Sequence, residues 1–208
     1  MSGNNKICSI ICGSPDGSID RSLVEGLIIC ADSGLHHAIA AGIDPDIVVG
    51  DFDSCTADIP ESAEVIRVSP IKDDTDTILA ADTAMQYGCN ELRFFCALGG
   101  RFDHAFANVQ TLEYLYQKGV RATLYGGGEK LRLLHQGDSV KIGKFDGFVS
   151  LFAFTETSTV TEYGMKYPLV RYRLDRAYPL GISNEVAEAE AEVIVHSGTV
   201  ILYEVAGK

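Results

Sequence analysis

The sequence predicts an α/β domain on a parallel, Rossmann-like sheet over residues 1–128, followed by an all-β sandwich or jelly roll over residues 129–208. Three observations carry this. Short apolar runs alternate with helix-spaced segments as far as Gly126. Helical periodicity then stops, and β-rich runs punctuated by glycine take over. Hydrophobic residues make up 46% of the chain, enough for a buried core in each half.

In the first half, KICSIICG (6–13) and GLIICAD (26–32) read as apolar strands. SGLHHAIAAG (33–42) has helical spacing and a glycine stop. DIVVGDFDS (46–54) is a strand running into acid, and EVIRVS (64–69) is another strand. TDTILAADTAMQYG (75–88) reads as a helix, with Thr75 or Asp74 as cap and Ile78, Leu79, Ala81 and Met85 on the apolar face. ELRFFCALGG (91–100) is a strand ending on glycines. DHAFANVQTLEYLYQKG (103–119) is the longest helix, and RATLYG (121–126) is the sixth strand. Strands separated by helices and loops imply parallel pairing, and parallel sheets bind ligands at the carboxyl ends of their strands. Asp32, Asp51, Asp53, Arg101 and Asp103 all follow apolar strand runs.

In the second half the runs are LRLLHQ, DSVKIG, GFVSLFAF, STVTEYG, LVRYRL, EAEAEVIVHSG and TVILYEV. EAEAEVIV alternates strictly, the pattern of a half-buried strand.

Charge narrows the function classes. The formal net charge of −12 argues against nucleic acid and anionic membranes as partners. No apolar run approaches the ~18 residues of a membrane span, and the N-terminus does not read as a signal peptide, so a cytoplasmic protein is expected. Thirteen of the sixteen aspartates lie in residues 1–130, and clustered aspartate suits a hard divalent cation. The six cysteines form no CxxC pair, and four sit in apolar runs, so buried reduced thiols are expected.

Three motifs carry chemistry. In VVGDFDSC (48–55), Asp51 and Asp53 stand at i and i+2, which an extended backbone points the same way, toward one cation. In KDDTD (72–76), Lys72 stands with Asp73, Thr75 and Asp76 just before a helix, a setting for phosphate oxygens held together with Mg²⁺. In ALGGRFDHAFANVQ (97–110), Arg101 supplies a planar phosphate donor after two glycines, and His104 and Asn108 share a helix face. Each motif alone has an ordinary structural reading: surface acid, a helix cap, a glycine turn. Together they fit Mg²⁺ bridging a polyphosphate. The absence of GxxxxGK[ST], GxGxxG and GxSxG removes support for P-loop, dinucleotide-binding and α/β-hydrolase readings.

ADSGLHHAIAAGIDPDIVVGDFDS, KDDTD and GGRFDHAFANVQ, in that order and spacing, resemble the thiamine pyrophosphokinase (thiamine diphosphokinase) family. GISNEV (181–186) is similar to that family's C-terminal SN-containing segment. The resemblance implies an α/β nucleotide domain, a β-sandwich domain and a homodimer with clefts at its interface. It implies transfer of a pyrophosphoryl group from ATP to the hydroxyethyl oxygen of thiamine, with Mg²⁺, giving AMP and thiamine diphosphate. Carried onto this chain, Asp51, Asp53, Asp73, Asp76 and Asp103 would form the metal–phosphate site, the first four as metal ligands. Asp32, Lys72, Arg101, His104 and Asn108 would contact or orient ATP. Thr75 and Ser183, supported by Asn184, would lie near thiamine. The chain departs from the pattern in having no Trp to stack on thiamine, leaving Tyr178 or another aromatic, and in carrying Ser33 where many relatives have Gly. Two alternatives are a Mg²⁺-dependent phosphohydrolase using the same acids on water, and a non-catalytic nucleotide- or thiamine-binding module.

Overall fold

The apolar runs of the first half form six strands: β1 (Ile7–Ile11), β2 (Leu27–Ala31), β3 (Ile47–Gly50), β4 (Glu64–Arg67), β5 (Glu91–Phe95) and β6 (Arg121–Gly126). The structure, a computed structural model, describes residues 5–15, 17–52, 58–68 and 75–207. Asp53, Cys55, Lys72, Asp73 and Asp74 lie outside the described residues. The chain divides into two compact units, residues 1–127 and 128–208.

In the first unit every strand pairing is parallel, in the order β4-β3-β2-β1-β5-β6. The chain moves outward from β1 to β4, then returns to the other side of β1 with β5. The order therefore reverses between β1 and β5, and ligands of open parallel sheets sit at such a reversal. Ile10, Ile11, Ile29, Val48, Val49, Leu92 and Phe94 are fully buried, as strands covered on both faces require.

Among the described residues this unit also holds a short 3-10 helix (Arg21–Leu23) and three α-helices: α1 (Gly34–Ala41), α2 (Asp76–Gln86) and α3 (Phe102–Gln117). Gly42 ends α1 in the left-handed conformation. Thr75 caps α2, its Oγ1 accepting from the Ile78 amide at 3.3 Å, which decides between the two expected caps. α3 starts one residue earlier than its sequence pattern suggests, with Arg101 at the cap position and no side-chain cap bond.

The second unit contains only antiparallel pairings among the described residues. Its strands are β7 (Glu129–His135), β8 (Ser139–Gly143), β9 (Gly147–Ala153), β10 (Thr157–Tyr163), β11 (Tyr172–Asp175), β12 (Glu190–Ser197) and β13 (Thr199–Ala206). They run in the orders β7-β13-β9 and β11-β10-β12-β8. Leu134, Leu151 and Leu202 from the first group share one core with Val160, Leu174 and Val193 from the second. The alternation in EAEAEVIV is realised on β12, where Ala191, Val193 and Val195 point inward. LVRYRL is strand only from Tyr172, because Arg171 takes a φ of 45° and its amide turns to the Thr161 hydroxyl.

Cys8, Cys12, Cys30, Cys89 and Cys96 are buried free thiols, as expected. Among the described residues, no helix is long and apolar enough to cross a membrane.

Candidate active site

The reversal between β1 and β5 opens into a cleft of about 510 Å³ in the first unit. Its walls are strand ends and helix starts. Cys12–Pro15 follow β1, Ala31 ends β2 and Asp32 and Ser33 follow it, Thr75–Thr77 open α2, and Cys96, Ala97, Gly99, Arg101, His104 and Asn108 come from the turn after β5 and the first half of α3. Six of the residues singled out in the sequence thus meet at one place: Asp32, Thr75, Asp76, Arg101, His104 and Asn108.

The backbone at the strand ends is unusual. Asp32, Phe52 and Cys96, just beyond β2, β3 and β5, have φ of 43°, 63° and 51°. L-residues enter this region at a cost, and such strain concentrates where a side chain must be aimed. Gly50 packs directly on Asp32: a Cβ there would stand 3.1 Å from the Asp32 Cα. Asp51 follows at once, so two carboxyl-bearing residues leave adjacent strand ends together. Phe52 anchors this end of β3 in the apolar cluster around Leu35 and Val48, with the Arg67 guanidinium 5.0 Å above its ring.

Arg101 and Asp103 hold each other in a two-pronged ion pair. Arg101 Nε donates to Asp103 Oδ1 at 3.1 Å, and Arg101 Nη2 donates to Oδ2 at 2.6 Å. The His104 amide donates to the same Oδ1 at 3.0 Å. The hydrogen bonds to Arg101 hold the Asp103 carboxyl below the usual carboxylate range, and Asp103 raises Arg101 above its own ordinary value. Both side chains are mostly exposed, so the pair adds little stability and its guanidinium fork can be exchanged onto an anion.

Asn108 plays a more local part than its motif suggests. It is buried, and its Nδ2 donates to the Ala97 carbonyl at 2.8 Å, fixing the backbone where β5 enters the glycine turn. Thr75 spends its hydroxyl oxygen on the α2 cap while lining the cleft.

The donor chemistry of this cleft favours a hard cation. Burial pushes the thiols of Cys12 and Cys96 up to about 12 and about 11, so neither offers a thiolate at neutral pH. Beside the His104 imidazole, the donors that remain are carboxylate, amide and hydroxyl oxygens, and oxygen is the ligand type of Mg²⁺. Among the described residues no three acids, histidines or cysteines converge tightly enough to cage a metal. Mg²⁺ keeps waters and substrate phosphate oxygens in its shell, so it needs only one or two protein carboxylates.

The sequence reading missed the loop after β1. Ser14 Oγ donates to the Leu98 carbonyl at 2.8 Å, and Pro15 fits against Gly100, where a Cβ would meet the Pro15 ring at 2.8 Å. Gly100 also has a φ of 65°, so both geometry and space exclude a side chain. The signal was present as GSPDG (13–17), a turn sequence immediately after the first apolar strand.

In the second unit, Ser183 is exposed with a φ of 57°, and its amide donates to the Ser150 hydroxyl at 3.0 Å. Asn184 is buried, and its amide group is turned inward. Oδ1 accepts from the Tyr167 and Glu185 amides at 3.1 and 3.0 Å, and Nδ2 donates to the Tyr167 carbonyl at 2.9 Å and to Glu162 Oε2 at 3.4 Å. Both lone pairs and both hydrogens of the amide are used inside the protein. Tyr178, five residues before Ser183, is exposed.

Two family models match the chain. The thiamin pyrophosphokinase catalytic domain covers residues 24–124, and the thiamin pyrophosphokinase vitamin B1 binding domain covers residues 138–201. A thiamine pyrophosphokinase of Bacillus subtilis is 30% identical over 217 aligned positions, spanning 95% of this chain and 97% of that protein. Crystal structures of thiamine pyrophosphokinases superpose with similar coverage. That from Bacillus subtilis gives a TM-score of 0.87 at 26% identity, over 98% of this chain and 100% of the other. That from Geobacillus thermodenitrificans gives 0.84 at 26% identity, over 97% and 98%.

Proposed function

Because the chain belongs to the thiamin pyrophosphokinase family, and so moves a pyrophosphoryl group from ATP to thiamine, we propose that the cleft at the β1/β5 reversal is its phosphate-transfer centre. The observation that carries this is the convergence of Asp32, Thr75, Asp76, Arg101, His104 and Asn108 at the strand ends of one parallel sheet. Residues 1–128 then form the ATP- and Mg²⁺-binding domain, and residues 129–208, read as a β-sandwich, carry the acceptor segment around Ser183.

The acids of this rim would repel a polyphosphate on their own. Mg²⁺, when bound, would supply the compensating positive charge. Asp51, Asp53, Asp73 and Asp76 are the residues that would hold it. Asp103 holds Arg101 ready in the absence of substrate. On ATP binding, the Arg101 fork passes from Asp103 to phosphate oxygens, and Lys72, as the family resemblance implies, would add a second cation to ATP. Asp32, His104 and Asn108 orient the nucleotide, Asn108 by fixing the Ala97 carbonyl.

The hydroxyethyl oxygen of thiamine attacks the β-phosphorus in line. A new O–P bond forms as the bond from that phosphorus to the bridging oxygen of AMP breaks, and an aspartate of the cleft takes the hydroxyl proton. Most of the acceleration rests on positioning and charge, since a base contributes typically 10²–10⁴-fold. As the family resemblance implies, Thr75 and Ser183 would each lie near thiamine, with Asn184 as support for Ser183. Thiamine carries a cationic thiazolium, which the acidic surround favours. We read the working enzyme as a cytoplasmic homodimer.

Omission assays test this reading. AMP should appear only when ATP, thiamine and Mg²⁺ are all present. Release of phosphate from ATP without thiamine would replace the transferase by a phosphohydrolase.

A further inference from the structure

A serine at the start of a helix ordinarily caps it: with an extended backbone, its hydroxyl accepts from an amide of the first turn. Ser33 stands before α1 and does not do this. Its φ and ψ of −61° and −11° are already helical, and its side chain makes no cap bond. It is half-buried and lines the cleft. The other hydroxyls of the cleft wall are engaged. Ser14 donates to the Leu98 carbonyl, Thr75 caps α2, and Thr77 Oγ1 lies 3.9 Å from Cys12 Sγ. Among the described residues, Ser33 Oγ has no such partner.

The backbone around this hydroxyl fixes where it stands. Gly34 sits on the end of β1, where a Cβ would come within 2.0 Å of the Ile11 carbonyl oxygen, so the start of α1 cannot slide. Gly13 packs against Ser33: a Cβ on Gly13 would stand 2.0 Å from Ser33 Oγ and 3.2 Å from Ser33 Cβ. Gly13 does not have a positive φ, so the space that Ser33 fills, and not backbone conformation, favours glycine there. Asp32 turns to the other side of β2, toward Gly50 on β3, where a Cβ would stand 3.2 Å from Asp32 Oδ1. The end of β2 therefore sends a carboxylate to one neighbouring strand and a hydroxyl to the other. Among the described residues the backbone amides of Gly13 and Ser33 make no hydrogen bond, so donors gather in the corner that Ser33 faces. Gathered N–H and O–H donors suit an anionic oxygen.

We propose that the Ser33 hydroxyl, seated over Gly13, donates to a phosphate oxygen of ATP. This rests on the reading of the cleft as the phosphate-transfer centre. Ser33 then serves the triphosphate from the β2 side, and Arg101 serves it from the β5 side.

Steady-state kinetics of the full chain, with ATP and thiamine varied separately, test this. Ser33→Gly should raise the ATP KM about five- to tenfold, the scale of one hydrogen bond to a charged group, and leave the thiamine KM within about twofold of wild type. Gly13→Ala keeps the hydroxyl but pushes it off its seat, and should raise the ATP KM by a similar factor. In the double variant the added methyl takes the space the hydroxyl left, its next neighbour being the Gly34 nitrogen at 3.6 Å. Its ATP KM should match that of Ser33→Gly alone, because both changes remove one contact. This comparison also decides the matter where Gly13→Ala alone does not fold. A double variant clearly worse than Ser33→Gly overturns the seating, and the proposal with it. The factor lost in Ser33→Gly should be the same with 2′-deoxy-ATP and 3′-deoxy-ATP as with ATP. A factor that vanishes with either analogue places the hydroxyl on the ribose and overturns the phosphate contact. An ATP KM unmoved in Ser33→Gly but raised in Arg101→Lys overturns the role of Ser33 alone. An ATP KM unmoved in both overturns the reading of the cleft, and this proposal with it.

Discussion

Glu162→Gln should change how the protein's stability depends on pH. Burial pushes the Glu162 carboxyl up from an ordinary 4.5 to about 7, against the opposing pull of the Asn184 amide. The folded protein therefore holds this proton more tightly than the unfolded chain does. Between pH 4.5 and 7 the unfolded state carries fewer protons, so stability falls as pH rises through that window. The stabilising contribution is full below pH 4.5 and lost above about 7. Moving a carboxyl by this amount corresponds to roughly 3 kcal/mol, most of which falls between pH 5 and 8. Gln keeps the shape and cannot ionise. Its NH₂ brings a buried donor that costs about 1–3 kcal/mol if unpaired, but that cost is the same at every pH. The informative quantity is therefore the slope of the difference and not its absolute size. Urea unfolding of wild type and variant, followed by far-ultraviolet circular dichroism from pH 5 to 8, reads it directly. All other titrating groups are common to both proteins and cancel. A difference that shifts toward the variant by about 2–3 kcal/mol across this range is expected. A difference constant with pH would refute the buried, hard-to-ionise carboxyl.

Further outcomes follow from the cleft and the caps. Arg101→Lys loses the planar fork and should raise the ATP KM tenfold or so while leaving the thiamine KM nearly unchanged, as initial rates would show. Ser183→Ala should raise the thiamine KM more than the ATP KM. Thr75→Ala removes the α2 cap and should lower stability by about 1 kcal/mol in urea titrations. A fragment ending at Gly128 should make no thiamine diphosphate, whether or not it retains nucleotide binding by calorimetry.

Much of the architecture was legible because local signals agreed with the fold. β2 and β3 are uninterrupted apolar runs and the other strands of the parallel sheet keep apolar residues in their interior, and the helix stops at Gly42 and Gly88 follow the periodicity. The acids at strand ends could be placed because parallel sheets present ligands there. Other features depend on what lies across space. That Asn108 serves the Ala97 carbonyl, and that Arg101 is forked onto Asp103, depends on the turn the two glycines make. Left-handed φ at Phe52 and Cys96 has no signature in residue type, and Asp32 carries only the weak preference that aspartate shares with asparagine. Glu162 looks like an outward-facing polar residue in a strand that reads STVTEYG. It is buried because the loop of residues 163–169 folds back over it, and no short-range pattern announces that. The alternation of β12 and the asparagine in GISNEV were visible, but the inward direction of the Asn184 amide was not.

The carboxylates of the GDFD segment carry the central claim, because a hard cation at the strand ends is what makes an acidic cleft serve polyphosphate. The direct measurement is turnover against Mg²⁺ concentration for wild type, Asp51→Asn and Asp53→Asn, each checked for an unchanged circular dichroism spectrum. Each change removes a charge with little change of shape. Both variants should lose at least about 100-fold in kcat/KM at limiting Mg²⁺, the scale of one electrostatic contact to a transferring group. Turnover like that of wild type in both variants, at limiting Mg²⁺, would contradict the metal–phosphate site proposed for this cleft.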